Sequence, residues 1–346
     1  MQNRLWYRGV RGMKAAEVIQ AIEGLEPAAQ RAYLAQIAQS LNSVSLAEVE
    51  RAIETGDASA VVAAVQLGIF AVLVEHLRTA YVKGALVEAA DIKIESISKE
   101  LDFHAVGPAR FMAAQATKLV SQVEADQVNV VRSVLARGSA KGLSARKMAL
   151  ELIGRVSKQT GRRAGGVLGL SSGYAERVSL AKTQLLSGDK AMLRQYLLRT
   201  RRDRRFDPTV KASIKSGKPL DEETVNKIVG RYADRLLATQ AELVAQMFVA
   251  ESFNEGRDQA WRQVVARSNG RFSFIKRWKS RGDNIVRGTH RALNNQVVDK
   301  DAPFRSPLGA LLMFPGDSSL GAPIEELAKC RCSAEYELIK NEQVRP

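Results

Sequence analysis

The sequence has few of the residues that most often carry catalysis or covalent cross-links. Its 346 residues include two cysteines, three histidines and nine prolines, and aromatic residues make up 6%. Cys330 and Cys332 are separated by one residue and provide no disulfide framework, which fits synthesis in a reducing compartment. Between Pro27 and Pro208 the sequence contains only Pro108, so little interrupts a helical pattern there. These shortages argue against a disulfide-rich secreted domain and favour a helical protein.

Long apolar runs are also missing. The stretch from Ala60 to Val74 is apolar apart from Gln66, and it is shorter than the roughly 20 residues that a membrane-spanning helix needs. We therefore expect a buried core helix here and no stable membrane span. The basic N-terminus is not followed by an apolar segment, so we expect no signal peptide.

Length and hydrophobic periodicity predict a mainly α protein with a small C-terminal α+β unit. The chain is long enough for two or three domains. We divide it into an N-terminal helical region (1–104), a central helical and strongly basic region (105–269) and a C-terminal α+β unit (270–346). Apolar residues keep helical spacing from Asp221 to Arg267, which predicts one very long helix with bends at its glycines. After Gly270 they alternate as in a strand.

Local signals predict where several N-terminal helices begin and end. Pro27 suits the first turn of a second helix. Ser45 and Glu48 form a capping-box pattern, which predicts that a helix begins there. The apolar segment from Asp57 to Ala80 predicts a single helix.

The middle of the chain predicts further helices and one glycine-rich loop. Pro108 is expected to open a long helix that ends at Gly138, and Ser144 to cap a helix that runs to Val156. The glycines between Gly161 and Gly173 fit neither phosphate-binding pattern, and no predicted strand precedes them. We expect a loop that leads into a helix.

The positive charge is concentrated in this middle region. Residues 131–220 contain 21 Lys and Arg against 5 Asp and Glu, a net charge of +16, so the rest of the chain carries −1. Such a field attracts polyanions, most commonly nucleic acid. The candidate residues for contact with double-stranded DNA, or with an acidic protein surface, are Arg162, Arg163, Arg199, Arg201, Arg202, Arg204 and Arg205. Because few aromatic residues lie among them, any DNA contact should be independent of sequence.

The segment from Trp278 to Cys332 carries the other candidate chemistry. Asp283 is placed to cap a helix that begins at Asn284. Val286, His290 and Leu293 would then share the apolar face of that helix. Asn294 and Asn295 predict a tight turn after it. Further on, alternation from Cys330 to Leu338 predicts a strand with both sulfurs on one face.

His290, Cys330 and Cys332 together suggest a metal site. One imidazole and two thiolates suit zinc, with Asp283, Asp317 or water as a fourth ligand. The competing interpretation is a buried, hydrogen-bonded His290 beside two small apolar cysteines. A strained disulfide between the cysteines is a third possibility. No catalytic grouping with motif context is recognisable, so we expect no enzyme.

An ordered series of residues in this segment resembles the signature of the Mu F-like head morphogenesis family, the minor head proteins of tailed bacteriophages. The series comprises Trp278, Asp283, Val286, Arg287, His290, Phe304, Phe314, Pro315, Gly316, Asp317, Cys330, Arg331 and Cys332. The likeness extends upstream to about Gly161 and so covers about half of the chain. One departure lies at Gln246, Met247 and Phe248, where the family tends to have an Arg-Thr-Glu triplet.

The resemblance implies a structural protein of the procapsid and virion, assembled in the host cytoplasm. Its implied partners are the portal protein and capsid or scaffold proteins, and its implied roles are head assembly and DNA packaging or release. The basic middle region adds non-specific contact with double-stranded DNA. The alternative hypothesis is a zinc-dependent enzyme that acts on nucleic acid or protein, with His290, Cys330 and Cys332 as ligands.

Overall fold

The computed structural model describes residues 6–11, 13–67, 70–92, 106–158 and 160–340. The helices in these ranges are α1 (Ala15–Ser43), α2 (Leu46–Glu54), α3 (Ala58–Val65), α4 (Ala71–Asp91), α5 (Val106–Ala140), α6 (Ala145–Ile153), α7 (Ser172–Leu186), α8 (Lys190–Leu197), α9 (Asp207–Ser216), α10 (Glu222–Arg267), α11 (Gly288–Leu293) and α12 (Ile324–Leu327). The strands are β1 (Trp6–Arg11), β2 (Arg155–Val156), β3 (Arg163–Ala164), β4 (Phe272–Lys279), β5 (Val297–Asp299), β6 (Phe304–Arg305), β7 (Leu311–Leu312) and β8 (Ser333–Lys340). The predicted fold class, mainly α with a small C-terminal α+β unit, is confirmed.

The chain forms two compact units, each assembled from segments that are distant in sequence. The first unit comprises Met1–Arg31, Ala71–Ala116 and Glu242–Pro346, and the second comprises Ala32–Phe70 and Thr117–Ala241. This grouping does not follow the three consecutive regions proposed from the sequence, which stay a prediction. The proposed boundary at residues 104 and 105 lies outside the described residues.

The first unit contains a four-stranded antiparallel sheet in the order β1-β8-β4-β5. The longest pairing joins β4 to β8, where Phe272 lies opposite Lys340 and Lys279 opposite Ser333. Alternating apolar residues give β4 its strand character, as the sequence predicted after Gly270.

Aromatic packing holds this sheet to helix α10. Trp261 on α10 lies 5.9 Å from the ring of Tyr336 and 6.0 Å from the ring of Phe274, measured between centroids. All three side chains are at most 1% exposed. Buried aromatic pairs at this spacing add to the free energy gained from burying their area.

The second unit is built from short capped helices and parts of the long ones. The capping box predicted at Ser45 and Glu48 is present and starts α2. Asp57 and Ser144 cap α3 and α6 through their side chains. The very long helix predicted from Asp221 is α10, which at 1.5 Å per residue extends for about 70 Å.

Several helix boundaries differ from the predictions. Helix α1 continues through Pro27, so the two helices expected there are one. The segment expected to be one helix from Asp57 to Ala80 is broken after α3, because Gln66 adopts a left-handed conformation with φ of 52°. Helix α5 passes through Gly138 and ends at Ala140, and α6 ends at Ile153 rather than Val156.

Two glycines inside helices allow close packing of α4 against α10. A Cβ on Gly256 of α10 would lie 2.0 Å from the carbonyl oxygen of Tyr81, and one on Gly84 of α4 would lie 2.1 Å from the carbonyl oxygen of Phe253. Helices α4 and α10 therefore approach each other backbone to backbone. Helix α10 is continuous through Gly256.

Among the described residues, no helix is both long enough and apolar enough to cross a membrane.

We predict that Gly256→Ala destabilises the protein, because the added methyl group collides with the backbone of α4. The expected loss in the free energy of unfolding, measured by urea denaturation, is at least about 1–3 kcal/mol. Gly24→Ala is the matched control, since Gly24 is also helical and a methyl group added there would have nothing within 4 Å. It should stabilise the protein by up to about 1 kcal/mol. Equal effects of the two substitutions would refute the close approach.

Candidate metal centre

The structure brings His290, Cys330 and Cys332 together in the first unit. Nδ1 of His290 lies 3.5 Å from Sγ of Cys330 and 3.5 Å from Sγ of Cys332. The ligand atoms of all three residues lie within 4.8 Å of one another. Three such atoms can hold one metal ion, as the sequence suggested.

The helix that carries His290 begins later than predicted. Asp283 accepts hydrogen bonds from the backbone N–H groups of Ile285 and Val286, so it caps a turn rather than a helix. Helix α11 starts at Gly288, preceded by Arg287 in an extended conformation. Val286, His290 and Leu293 are all buried, as the predicted apolar face requires.

The cysteines precede the final strand instead of lying within it. Strand β8 begins at Ser333, so the predicted strand starts three residues late. Both sulfurs nevertheless contact the same atom of His290 and so lie on one side of the chain. Cys332 is buried, whereas Cys330 is partly exposed.

Trp278 and Phe304 form the apolar wall of the cluster. The ring of Trp278 meets the rings of His290 and Phe304 edge to face, each at a centroid distance of 5.2 Å. The buried indole N–H of Trp278 has no oxygen or nitrogen partner among the described residues. Cys330 and burial raise the pKa of Cys332, and the nearby indole N–H of Trp278 acts in the opposite direction. The signature residue Trp278 therefore packs directly on two candidate ligands.

The two thiols perturb each other's pKa in opposite directions. A hydrogen bond from Cys332 and the proximity of His290 hold the pKa of Cys330 well below its usual value of 9.0. The pKa of Cys332 is raised, because its thiol donates to Cys330 and because burial disfavours a second anion. The shift of Cys330 favours its thiolate, the form that binds a cation, and a bound cation would favour loss of the second proton.

The proposed fourth ligands from the protein lie elsewhere. Asp283 forms ion pairs with Arg331 at 3.0 Å and with Arg281 at 3.6 Å. Asp317 accepts hydrogen bonds from the backbone N–H groups of Met313 and Ser319. Across the described ranges, no fourth His, Cys, Asp or Glu joins the cluster.

The other signature residues fix the loops around the cluster. The guanidinium of Arg287 donates to the backbone carbonyls of Glu325 and Ala328. The carbonyl of Pro315 accepts a hydrogen bond from the side chain of Asn254, at 2.9 Å. Together with the Asp283–Arg331 pair, these contacts join positions that the sequence separates by up to 61 residues.

Sequence reasoning missed Glu326, which is 3% exposed. Its Oε2 lies 2.8 Å from Nε2 of His290 and accepts a hydrogen bond from the hydroxyl of Thr289. No local pattern predicted that Glu326 is buried, because α12 has only four residues and follows a loop.

A second buried polar cluster surrounds Lys276, which is 0% exposed. Its Nζ donates to the carbonyl of Met313, and burial lowers its pKa to about 8. On helix α10, burial raises the pKa of Glu255 to about 7, with added repulsion from Asp258 and Asp317. Asp258 is itself paired with Arg262. Apart from the helical spacing of its acids, nothing in the sequence pattern indicated this cluster.

Some of the arginines proposed to contact DNA or an acidic surface are hydrogen-bonded within the protein, and others are exposed to solvent. Arg163 donates to the carbonyls of Gly154 and Val44. Arg199 donates to Gln184, and Arg202 forms two hydrogen bonds with Asp207. These three guanidinium groups are engaged within the second unit.

The remaining four arginines of that set reach solvent. Arg205 pairs with the buried Asp203 but is 69% exposed. Arg162, Arg201 and Arg204 are exposed, and no contact of their guanidinium groups is seen within the described ranges. Contact with a polyanion is therefore open to Arg162, Arg201, Arg204 and Arg205.

The glycine-rich segment is a loop that leads into α7, as predicted, and its amides are already used. The N–H of Gly169 donates to Gln127, that of Ser171 to Gln240, and that of Ser172 to Asp126. A phosphate would need such amides to be free. This loop is thus held by side chains, not shaped for an anion.

Comparison with known proteins adds no relative: no family model, curated protein or solved structure matched the chain.

The raised pKa of Glu255 predicts that stability falls as the pH rises. The folded state favours protonated Glu255. The free energy of unfolding is therefore unaffected below the ordinary pKa of 4.5, and it is reduced by the full amount above the folded pKa of about 7. In urea denaturation, the wild type should lose up to about 3 kcal/mol of unfolding free energy between pH 5 and pH 8. Glu255→Gln should not show this loss. The exposed Glu54→Gln serves as the control for losing a charge. An unchanged pH dependence in Glu255→Gln would contradict the assignment.

Proposed function

We propose that this chain is a minor head protein of a tailed bacteriophage, a structural component of the procapsid and virion near the portal. The observation that carries the proposal is that the Mu F-like signature residues are contact partners. Trp278, His290 and Cys332 pack together, and Asp283 pairs with Arg331 across 48 residues. Residues that meet in space in this way support a fold signature over a chance pattern.

These contacts support a structural role over a catalytic one. The charged signature residues Asp283, Arg287, Asp317 and Arg331 are engaged in caps, ion pairs and bonds to backbone carbonyls. Groups used in this way stabilise loops and are not free to transfer protons. In this proposal the protein assembles in the host cytoplasm, contacts the portal and capsid or scaffold proteins, and aids DNA packaging or release.

Co-sedimentation of the purified chain with empty portal rings of the same phage tests the proposal. We expect binding to the rings without DNA, and recovery of the chain in purified procapsids. A chain that neither sediments with portal rings nor enters procapsids is not a minor head protein.

Non-specific contact with double-stranded DNA through the exposed arginines is the second part of the proposal. Each phosphate contact contributes about 0.9 to the slope of log affinity against log salt concentration. Replacing Arg162, Arg201 and Arg204 together by Gln should therefore reduce the slope by up to about 3 in a fluorescence anisotropy titration. Glutamine keeps most of the side-chain length. Arg201 has a positive φ, and this backbone conformation is about equally unfavourable for arginine and glutamine.

Two triple variants serve as controls for this titration. Replacing the exposed Arg31, Arg78 and Arg110 by Gln removes the same charge outside residues 131–220 and should leave the slope close to wild type. Replacing the engaged Arg163, Arg199 and Arg202 should reduce stability more than the slope. Equal slopes for all variants would exclude DNA contact by these arginines.

We propose that Zn²⁺ is the ion of the His290, Cys330 and Cys332 centre and that it stabilises the C-terminal loops. Zinc bonds of about 2.3 Å to sulfur and 2.0–2.1 Å to nitrogen, arranged tetrahedrally, separate the two ligand atoms by about 3.6 Å. The two observed separations are 3.5 Å. Two sulfurs equally distant from the single lone pair of Nδ1 suit a shared ion better than two hydrogen bonds.

Zinc binding is tested by metal analysis of purified protein. We expect one Zn²⁺ per chain, its loss in His290→Ala and Cys332→Ser, and a lower unfolding temperature after chelation. His76→Ala is the control, because His76 lies on α4 in the same unit and outside the cluster. Metal-free wild-type protein with unchanged stability would restore the interpretation of a plain hydrogen-bonded core histidine.

The alternative function, a zinc-dependent enzyme acting on nucleic acid or protein, is favoured by one observation. The centre supplies three protein ligands, and catalytic zinc sites typically have three with water as the fourth. Turnover of a nucleic acid or peptide substrate that is lost in His290→Ala would support it. Bound zinc without turnover in chains that bind portal rings would remove it.

A further inference from the structure

Glu326 is a buried carboxylate that touches a candidate ligand on the side away from the sulfurs. Its Oε2 lies 2.8 Å from Nε2 of His290, while Nδ1 of the same ring faces Cys330 and Cys332. The imidazole is therefore contacted by an anion at one nitrogen and by two sulfurs at the other.

Helix α12, which bears Glu326, is attached to the start of α11 by three hydrogen bonds. Arg287 donates to the carbonyls of Glu325 and Ala328, which flank Glu326 on either side. The hydroxyl of Thr289 donates to Oε2 of Glu326 at 3.1 Å. Residues 287, 289 and 290 thus position the carboxylate and the imidazole from one short stretch of chain.

The contact bears on which ring nitrogen is available to a metal ion. A neutral imidazole has one N–H and one lone pair, and an adjacent carboxylate favours the proton on the nitrogen that faces it. The 2.8 Å contact between Oε2 and Nε2 is not a hydrogen bond, so its effect is mainly one of charge at short distance. With a metal ion bound between the sulfurs, the lone pair of Nδ1 would face that ion.

We infer that Glu326, oriented by Thr289 and Arg287, is the positioning residue that makes Nδ1 of His290 the metal-binding nitrogen. The inference rests on the proposed zinc centre. The second ring nitrogen of a metal-bound histidine usually has a carboxylate or carbonyl partner that orients the ring, and loss of that partner weakens metal binding by about 10- to 100-fold. Arg287 contributes to this arrangement, because its side chain fixes the segment on which Glu326 lies.

Metal competition with the full-length chain tests the inference. Purified apo-protein is titrated with Zn²⁺ against a chromophoric chelator, and the wild type is compared with Glu326→Gln, which keeps the size and loses the charge. We expect Glu326→Gln to bind Zn²⁺ about 10- to 100-fold more weakly. Glu325→Gln is the matched control, since it removes an exposed carboxylate from the same helix, and it should bind like the wild type.

A spectroscopic measurement on the wild type keeps the test independent of whether Glu326→Gln folds. Long-range ¹H–¹⁵N correlation of the zinc-loaded chain identifies the ligating nitrogen of His290, and we expect Nδ1. Ligation through Nε2, or equal zinc affinity of Glu326→Gln and Glu325→Gln, would overturn the inference. Absence of stoichiometric zinc in the wild type would instead overturn the proposed zinc centre itself.

Discussion

The first unit depends on one fully buried ion pair, between Arg257 of α10 and Glu88 of α4. Nε of Arg257 lies 2.7 Å from Oε2 of Glu88, and both side chains are 0% exposed. The second oxygen of Glu88 accepts from the indole of Trp261, and Arg257 also donates to the carbonyl of Ala334. A buried charge that loses its partner costs about 3–5 kcal/mol, so helices α4 and α10 and the start of β8 are held as one set.

This constraint reaches the candidate metal centre through the chain itself. Arg257 fixes Ser333 and Ala334, and the residue before them is Cys332. In the pairing of β4 with β8, Trp278 lies opposite Ala334. The same strand register therefore positions the indole of Trp278 and the cysteines that precede β8. The centre is thus built by the packing of long helices on a small sheet, and its own loops only complete it. This arrangement fits a proposed role in which the C-terminal unit is a rigid structural part.

Much of the fold was predictable because the signals are local. Ser45, Asp57 and Ser144 cap helices through bonds that span two or three residues. The candidate ligands were also predictable, since His290 and the two cysteines are rare residue types in this chain. Their partners were not: Glu326 lies against His290 although strands β5, β6 and β7 lie between them in the sequence, and no periodicity encodes that contact. The sequence also did not indicate which arginines are free. Hydrogen bonds within the folded chain engage Arg163, Arg199 and Arg202.

Composition and spacing along the chain were enough to determine the fold class, the long uninterrupted helices, the concentration of positive charge in residues 131–220 and the residue types of the candidate metal centre. Other features were decided only when distant segments packed together. Among them are the continuation of α1 through Pro27, the backbone contact at Gly256, and the orientation of His290, with Nδ1 facing the sulfurs and Nε2 facing Glu326. These depend on which distant atoms meet, and the free energy of burying them outweighs the local preferences that the sequence displays.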